Sequence, residues 1–283
     1  MKRKKTDEAM TAQLEHGKIL PLIFRLAVPA IIAQLITFLY NIVDRMYVAR
    51  IEGAGTEALA ALGIVLPITL IIQALSSLIG IGGSPRAGIK LGEGNDGEAN
   101  IIFNNAFVLL VTVGVITEVL TAIFAKPLVV LFGCPPTAVE YASSYLRIYA
   151  YGTVFVMLAQ GLNPFILTQG YSFFAMGSVL TGAVINIVLD PIFIFALGMG
   201  VRGSALATVI SQLVSCIVIT LFFFSKKSIF KFKKSDMRLS RAVVLSIVSL
   251  GFTPFFMTLT ECAVQIVFNI CLNRTTGGNK DYT

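Results

Sequence analysis

The sequence predicts an all-α integral membrane protein, a polytopic transmembrane bundle of about seven helices. Three observations carry that expectation. Of the 283 residues, 56% are hydrophobic and only 13% are charged, against about a quarter in soluble domains. The mean hydropathy is +0.84, more apolar surface than a soluble fold of this size can hide, so the bilayer is the natural solvent. The apolar residues also gather into stretches of about 20 or more, the length a membrane crossing needs.

Seven such stretches are expected, over residues 19–43, 57–82, 101–125, 142–168, 173–197, 203–224 and 242–272. The breaks between them carry turn chemistry: Glu52-Gly53-Ala54-Gly55, Gly92-Glu93-Gly94-Asn95, Gly133-Cys134-Pro135-Pro136 and Gly198-Met199-Gly200. Residues 1–18 read as a polar tail with no cleavable signal, because the apolar stretch that follows is too long for a signal core. Residues 225–241 read as a basic loop and 273–283 as a polar tail.

The net charge is +7, and the basic residues are clustered. Lys2-Arg3-Lys4-Lys5 forms one run, and seven more basic residues lie between Lys226 and Arg241. Each run abuts an apolar span. Both therefore read as solvated flanks with anionic lipid headgroups as partners, and not as nucleic-acid sites. With the N-terminus in the cytoplasm, the tail, the loop after the second span and the loop after the sixth hold five, two and seven basic residues. The outer loops hold Arg45, Arg50, Lys126 and Arg202. That bias supports a cytoplasmic N-terminus in a cell (inner or plasma) membrane. A shift of 225 residues lays Pro29 on Pro254, Asp44 on Asn269 and Gly53 on Gly278, a faint parallel repeat of a kind found in transporters.

Cysteine and histidine offer little chemistry. None of Cys134, Cys216, Cys262 and Cys271 sits in a CxxC pair, so they read as small packing residues. The one histidine, His16, precedes the first span. No HExxH, no Asp-rich metal motif and no nucleophile with a nearby histidine is present, so an enzyme is not expected.

Polar residues inside the spans are the functional candidates, because ionisable groups in a bilayer are costly. Four acids qualify: Asp44, Glu118, Asp190 and Glu261. Arg25 and Arg147 lie near enough to span ends to snorkel. The first span carries Gln34, Thr37, Tyr40, Asn41 and Asp44 at spacings of three and four, which place them on one face. Pro29 lies about four turns earlier and is a candidate helix kink. Gln34 and Thr37 also suit interhelical hydrogen bonding. The fifth span carries Asn186 and Asp190 one turn apart, followed by Pro191. The sixth carries Ser204, Thr208, Ser211, Gln212 and Ser215 on one stripe, a pattern more typical of packing than of ligands. Asp44, Asn186, Asp190 and Thr208 offer only oxygen ligands, which suits a hard cation such as Na⁺, and the acid pair could hold a proton instead. The fourth span carries Gln160, Asn163 and Pro164, where Asn-Pro is expected to disrupt the helical ladder and open polar groups to a cavity. The seventh carries Thr258, Glu261, Gln265 and Asn269 on one face, with Glu261 near mid-bilayer and expecting a partner from another helix. Glu118 reads as structural or as facing the outer surface.

Several stretches together resemble multidrug and toxic compound extrusion (MATE) transporters. They are Leu39-Tyr40-Asn41-Ile42-Val43-Asp44, Ala58-Leu59-Ala60-Ala61-Leu62-Gly63 with Pro67, Lys90-Leu91-Gly92-Glu93-Gly94, Gly161-Leu162-Asn163-Pro164 with Thr168-Gln169-Gly170, Asn186-Ile187-Val188-Leu189-Asp190-Pro191, and Gly203-Ser204-Ala205-Leu206-Ala207-Thr208. The resemblance, of a bacterial DinF/NorM-like type, covers nearly the whole chain. It implies two six-helix lobes around a central cavity and antiport of Na⁺ or H⁺ against organic cations or amphipathic drugs. No cofactor beyond that coupling ion is implied. Residues 19–224 would be the N-terminal lobe of a 12-helix fold and residues 242–272 the seventh helix, beginning an incomplete second lobe. The coupling-ion site would be Asp44, Asn186, Asp190 and Thr208, and the kink Pro29. Tyr40 and Asn163 would line the first-lobe cavity, which the residue pattern extends to Gln34, Thr37, Asn41 and Gln160. Glu261 matches the acid that some members use in their second lobe.

The family has twelve helices, and about seven are expected here. A truncated or disrupted transporter is therefore one expectation, with the missing second lobe or another chain needed for full transport. The alternatives are an inactive fragment and a lipid-linked sugar flippase. The acidic charges within the spans favour cationic substrates over the second of these.

Overall fold

In the computed structural model, which describes residues 19–275, eight α-helices account for nearly all of the path. They are α1 (Ile19–Ala49), α2 (Gly55–Gly92), α3 (Asp96–Leu131), α4 (Val139–Ala150), α5 (Thr153–Thr168), α6 (Ser172–Pro191), α7 (Val201–Phe224) and α8 (Arg241–Thr275). A five-residue π-helical turn, Ile192–Ala196, continues α6. Six of the helices are long and apolar enough to cross a membrane, and α4 with α5 makes a seventh crossing if the bent pair is one span.

The fourth span differs from expectation. The apolar run 142–168 reads as one helix, but the chain breaks at Tyr151 and Gly152 and turns by 59° between α4 and α5. Two contacts explain the position. A Cβ on Gly152 would lie 2.6 Å from Val209 Cγ2 on α7, so the break lets the backbone press against that helix. Beside it, the Glu118 side chain meets the backbone of Val154 in the first turn of α5, where the N–H groups have no partner within the helix. Glu118 is thus structural. Asn163 and Pro164, the expected point of disruption, lie inside a helix that continues to Thr168.

The other helices overrun their apolar windows because polar ends project past the hydrocarbon. α1 reaches Ala49, α2 reaches Gly92, and α3 begins at Asp96 behind an Asn95 cap whose Oδ1 accepts the Glu98 N–H at 3.1 Å. Gly53 (φ 72) and Gly94 (φ 74) supply the expected left-handed turns. α1 runs on through Pro29, whereas α3 is bent at Phe124, three residues before Pro127. α8 continues to Thr275, so the tail expected over 273–283 starts later. Residues 1–18 and 276–283, including the Lys2-Arg3-Lys4-Lys5 run, His16 and Gly278, lie outside the described residues, as do the side chains of Arg25 and Asn269.

α2 is the axis of the bundle. Half of its apolar window, 50%, is buried, against 11% for α1 and for α8. Its most extensive partner is α8. At their crossing the backbone of Gly82 meets Ile247 and Gly251, and Gly251 meets the Leu78 carbonyl, leaving no space for a Cβ on either glycine. Small residues that let backbones touch are the usual seam between membrane helices. Cys262 Sγ adds a contact to the Pro67 carbonyl at 3.3 Å. On α1, by contrast, Phe24, Ile31, Leu35, Phe38 and Leu39 are all more than half exposed, a surface suited to lipid.

The segment 225–240 keeps Lys226, Lys227, Lys233, Lys234 and Arg238 exposed, as a solvated flank would, but it is not a free loop. It is a strap pinned across one end of the bundle. Phe230 is fully buried and stacks on Phe103 at 5.2 Å, within a cluster that includes Phe165, Phe223 and Phe232. Gln169 Oε1 accepts the Ser228 hydroxyl and the Ile229 N–H, and three asparagines of α3 hold the rest. Hydrogen bonds from Ser235 and Asn100 keep the Asp236 carboxyl below its ordinary range.

Candidate functional site

The polar faces of α1, α6, α7 and α8 converge on a hollow formed by two adjoining cavities of about 410 and about 510 Å³. Gln34, Thr37, Tyr40, Gln160 and Glu261 line both. Asn41 and Asp44 line the larger, and Asn163 and Asn186 the smaller. The one-face spacing on α1 therefore does turn those side chains inward. The polar face of α8, left without partners in the sequence reading, closes the wall with Thr258, Glu261 and Gln265.

Behind this wall sits a buried acid pair. Asp44 is 8% exposed and Asp190 is fully buried, and the two carboxylates are close enough to feel each other's charge. They are not equivalent. Asp44 Oδ1 accepts the Ser204 hydroxyl at 2.7 Å, but neither oxygen of Asp190 receives a donor from another side chain or backbone group, its polar neighbour being the Asp44 carboxyl itself. Asn186, one turn before Asp190, donates through Nδ2 to Thr208 Oγ1 at 3.4 Å, and its Oδ1 is also without a partner. A buried unpaired carboxylate carries a large desolvation cost. Three orphan oxygens beside a second carboxylate form a donor set that a small cation or a proton would complete. The donors are all oxygen atoms, a chemistry that suits an alkali cation or a proton better than a transition metal.

Some candidates are partly committed to packing. Asn163 Nδ2 donates to the Ala175 carbonyl at 3.1 Å and to Ser178 Oγ at 3.0 Å, tying α5 to α6. Thr37 Oγ1 and Asn41 Nδ2 bond back to carbonyls one turn earlier on α1. On α7, Ser211 bonds back to Thr208 O at 2.8 Å and Ser215 reaches Ser178 O at 3.2 Å, as the packing reading anticipates.

Ser204 departs from that reading. It shares the stripe with Ser211 and Ser215 but faces a carboxylate. The signal was its position one turn before Thr208, on the same face. Gln73, Tyr145 and Tyr149 also line the hollow. Gln73 was legible as a lone amide deep in an apolar run. The tyrosines sit at i and i+4 on α4, on one face of that helix.

The MatE family model matches residues 29–192. The multidrug export protein MepA of Staphylococcus haemolyticus is 26% identical over 258 residues, covering 91% of this chain and 57% of that protein. Among solved structures, a ligand complex of the MATE multidrug transporter DinF-BH superposes with a TM-score of 0.87 at 31% identity, covering 93% of this chain and 58% of that one. A MOP-superfamily transporter of Pyrococcus furiosus, described as having a binding pocket of reversed polarity, gives 0.83 at 28% identity, covering 95% and 59%. The chain thus spans a little over half the length of the proteins it matches.

Proposed function

The chain belongs to the MatE family of membrane transporters, not enzymes, and on that premise we propose that it is the first-lobe portion of a multidrug antiporter that exports organic cations or amphipathic drugs against Na⁺ or H⁺. The observation that carries the proposal is the Asp44–Asp190 pair, with neither Asp190 oxygen receiving a donor from outside it. Asp44, Asn186, Asp190 and Thr208 take the coupling ion. The drug occupies the adjoining hollow, where Glu261 supplies the charge that favours a cation. A lipid-linked sugar would present an anion to that same acid, which counts against flipping. The N-terminus and the strap lie on the cytoplasmic side. Alternating access takes a second lobe, supplied by a further chain or a longer form.

The test is export of a fluorescent organic cation, ethidium, from cells expressing the chain, beside its Asp190→Asn variant. Export by the parent and its loss in the variant, by ten-fold or more, is the expected result. Equal export by both would remove Asp190 from the coupling site. If neither exports dye, the same pair is compared after joining a second lobe from a relative.

A further inference from the structure

The strap between α7 and α8 is built with more care than a linker needs. Asn100, Asn104 and Asn105, on the first turns of α3, are nearly or fully buried. Each uses both ends of its amide on the strap. Asn100 accepts Lys231 N–H at 2.7 Å and donates to Asp236 Oδ2 at 2.8 Å. Asn104 accepts Lys233 N–H at 3.1 Å and donates to Lys231 O at 2.9 Å. Asn105 accepts Ser240 N–H at 2.9 Å and donates to Asp236 O at 3.1 Å. An asparagine side chain offers the donor and acceptor of a peptide group, so α3 holds the strap much as a neighbouring β-strand would.

The clamp fixes where the charges point. Lys231 turns inward and donates to the Phe223 and Ser225 carbonyls at the end of α7, where a cation complements the helix terminus. Lys226, Lys227, Lys233, Lys234, Arg238 and Arg241 point outward. Among the described residues, none of these six is in a salt bridge. The strap's one acid, Asp236, is engaged by Ser235 and Asn100. Exposed apolar side chains alternate with the cations: Phe224 (68%), Ile229 (48%) and Leu239 (48%). Helices on both sides are membrane crossings, so the strap lies at the bilayer surface. Cations interleaved with apolar side chains at that depth match the two layers of a lipid, headgroup and acyl chain.

We propose that the asparagine-clamped strap is a fixed cationic platform that binds the headgroups of anionic phospholipids. Membrane embedding alone supports it, so it stands whether or not the drug-export reading does. The clamp holds the backbone, the aliphatic stems and Ile229 rest on the acyl boundary, and the ammonium and guanidinium groups face the phosphates.

The experiment reconstitutes the full chain in vesicles of 4:1 phosphatidylcholine and phosphatidylglycerol, with spin-labelled forms of each lipid reporting which one the protein holds. The parent should hold phosphatidylglycerol at least several-fold more strongly, and high salt should reduce the preference. Replacing Lys226, Lys227, Lys233, Lys234 and Arg238 with Gln should abolish it. Asn105→Ala keeps every charge but releases Ser240 and should weaken the preference at least two-fold. Absence of preference in the parent, or its survival in the neutralised variant, overturns the proposal. An unchanged preference in Asn105→Ala overturns the fixed platform. Displacement of the lipid by inorganic phosphate beyond the effect of chloride at equal ionic strength assigns the charges to a soluble anion instead, and also overturns it.

Discussion

A single hydroxyl separates the roles of the two buried aspartates. Ser204 gives Asp44 a donor at 2.7 Å, while Asp190 has none. The Asp44 carboxyl is therefore held by a fixed hydroxyl, whereas Asp190 has only the neighbouring carboxyl beside it. A hydrogen bond to a charged group is worth about 1.5–3 kcal/mol, so Ser204→Ala should weaken cation-dependent thermal stabilisation of the purified chain by roughly ten-fold in concentration. Ser204→Thr keeps the hydroxyl and should restore most of it. If alanine and threonine behave alike, the 2.7 Å contact does not tune the site. The Asp44 and Asp190 positions were readable because carboxylates in apolar runs are conspicuous. Ser204 was harder, since serines at helical spacing usually serve packing, and its two stripe-mates Ser211 and Ser215 do just that.

At the scale of elements, the apolar windows located every crossing, because length and composition suffice to mark a span. They could not locate the break at Tyr151 and Gly152. That break is set by a neighbour distant in sequence, Val209, and by Glu118 at the start of α5. Nor could the strap be read from its composition. Lysines dominate the segment, whereas its conformation is dictated by three asparagines more than 120 residues away in sequence and by one buried phenylalanine. The α2–α8 seam follows the same logic, since Gly82 and Gly251 are ordinary residues until they meet. Gly251→Leu has no space at the Leu78 carbonyl and should drive the helices apart. The expected outcome is a fall in melting temperature in detergent of several degrees or more. Gly63→Leu, at an open position, serves as the control for added bulk in the same helix pair. Equal effects of the two would mean that the seam does not hold α8.

The whole molecule is polarised along the membrane normal. The acid pair sits near the ends of α1 and α6 and the start of α7, while the strap and its aromatic cluster close the opposite end, beyond the last turn of α7. Lysines crowd the strap end, and the turn between α1 and α2 lies at the other. In the proposed orientation, with the strap in the cytoplasm, the acid pair lies toward the outer half of the bilayer, and Phe103, Phe165, Phe223 and Phe230 form a wall between it and the cytoplasm. That orientation makes a definite prediction for single-cysteine variants in a background lacking Cys134, Cys216, Cys262 and Cys271. A cysteine in place of the exposed Ser235 should react with a membrane-impermeant maleimide only in inside-out vesicles. One in place of the exposed Glu52, in the α1–α2 turn, should react only in intact cells. The two readouts must be opposite, because α2 crosses the membrane once between the α1–α2 turn and the strap-side end of α3. Labelling of both from one side would contradict α2 as a crossing. Labelling in the reverse sense would keep the fold but turn the molecule over, placing the basic strap outside and the acid pair toward the cytoplasm.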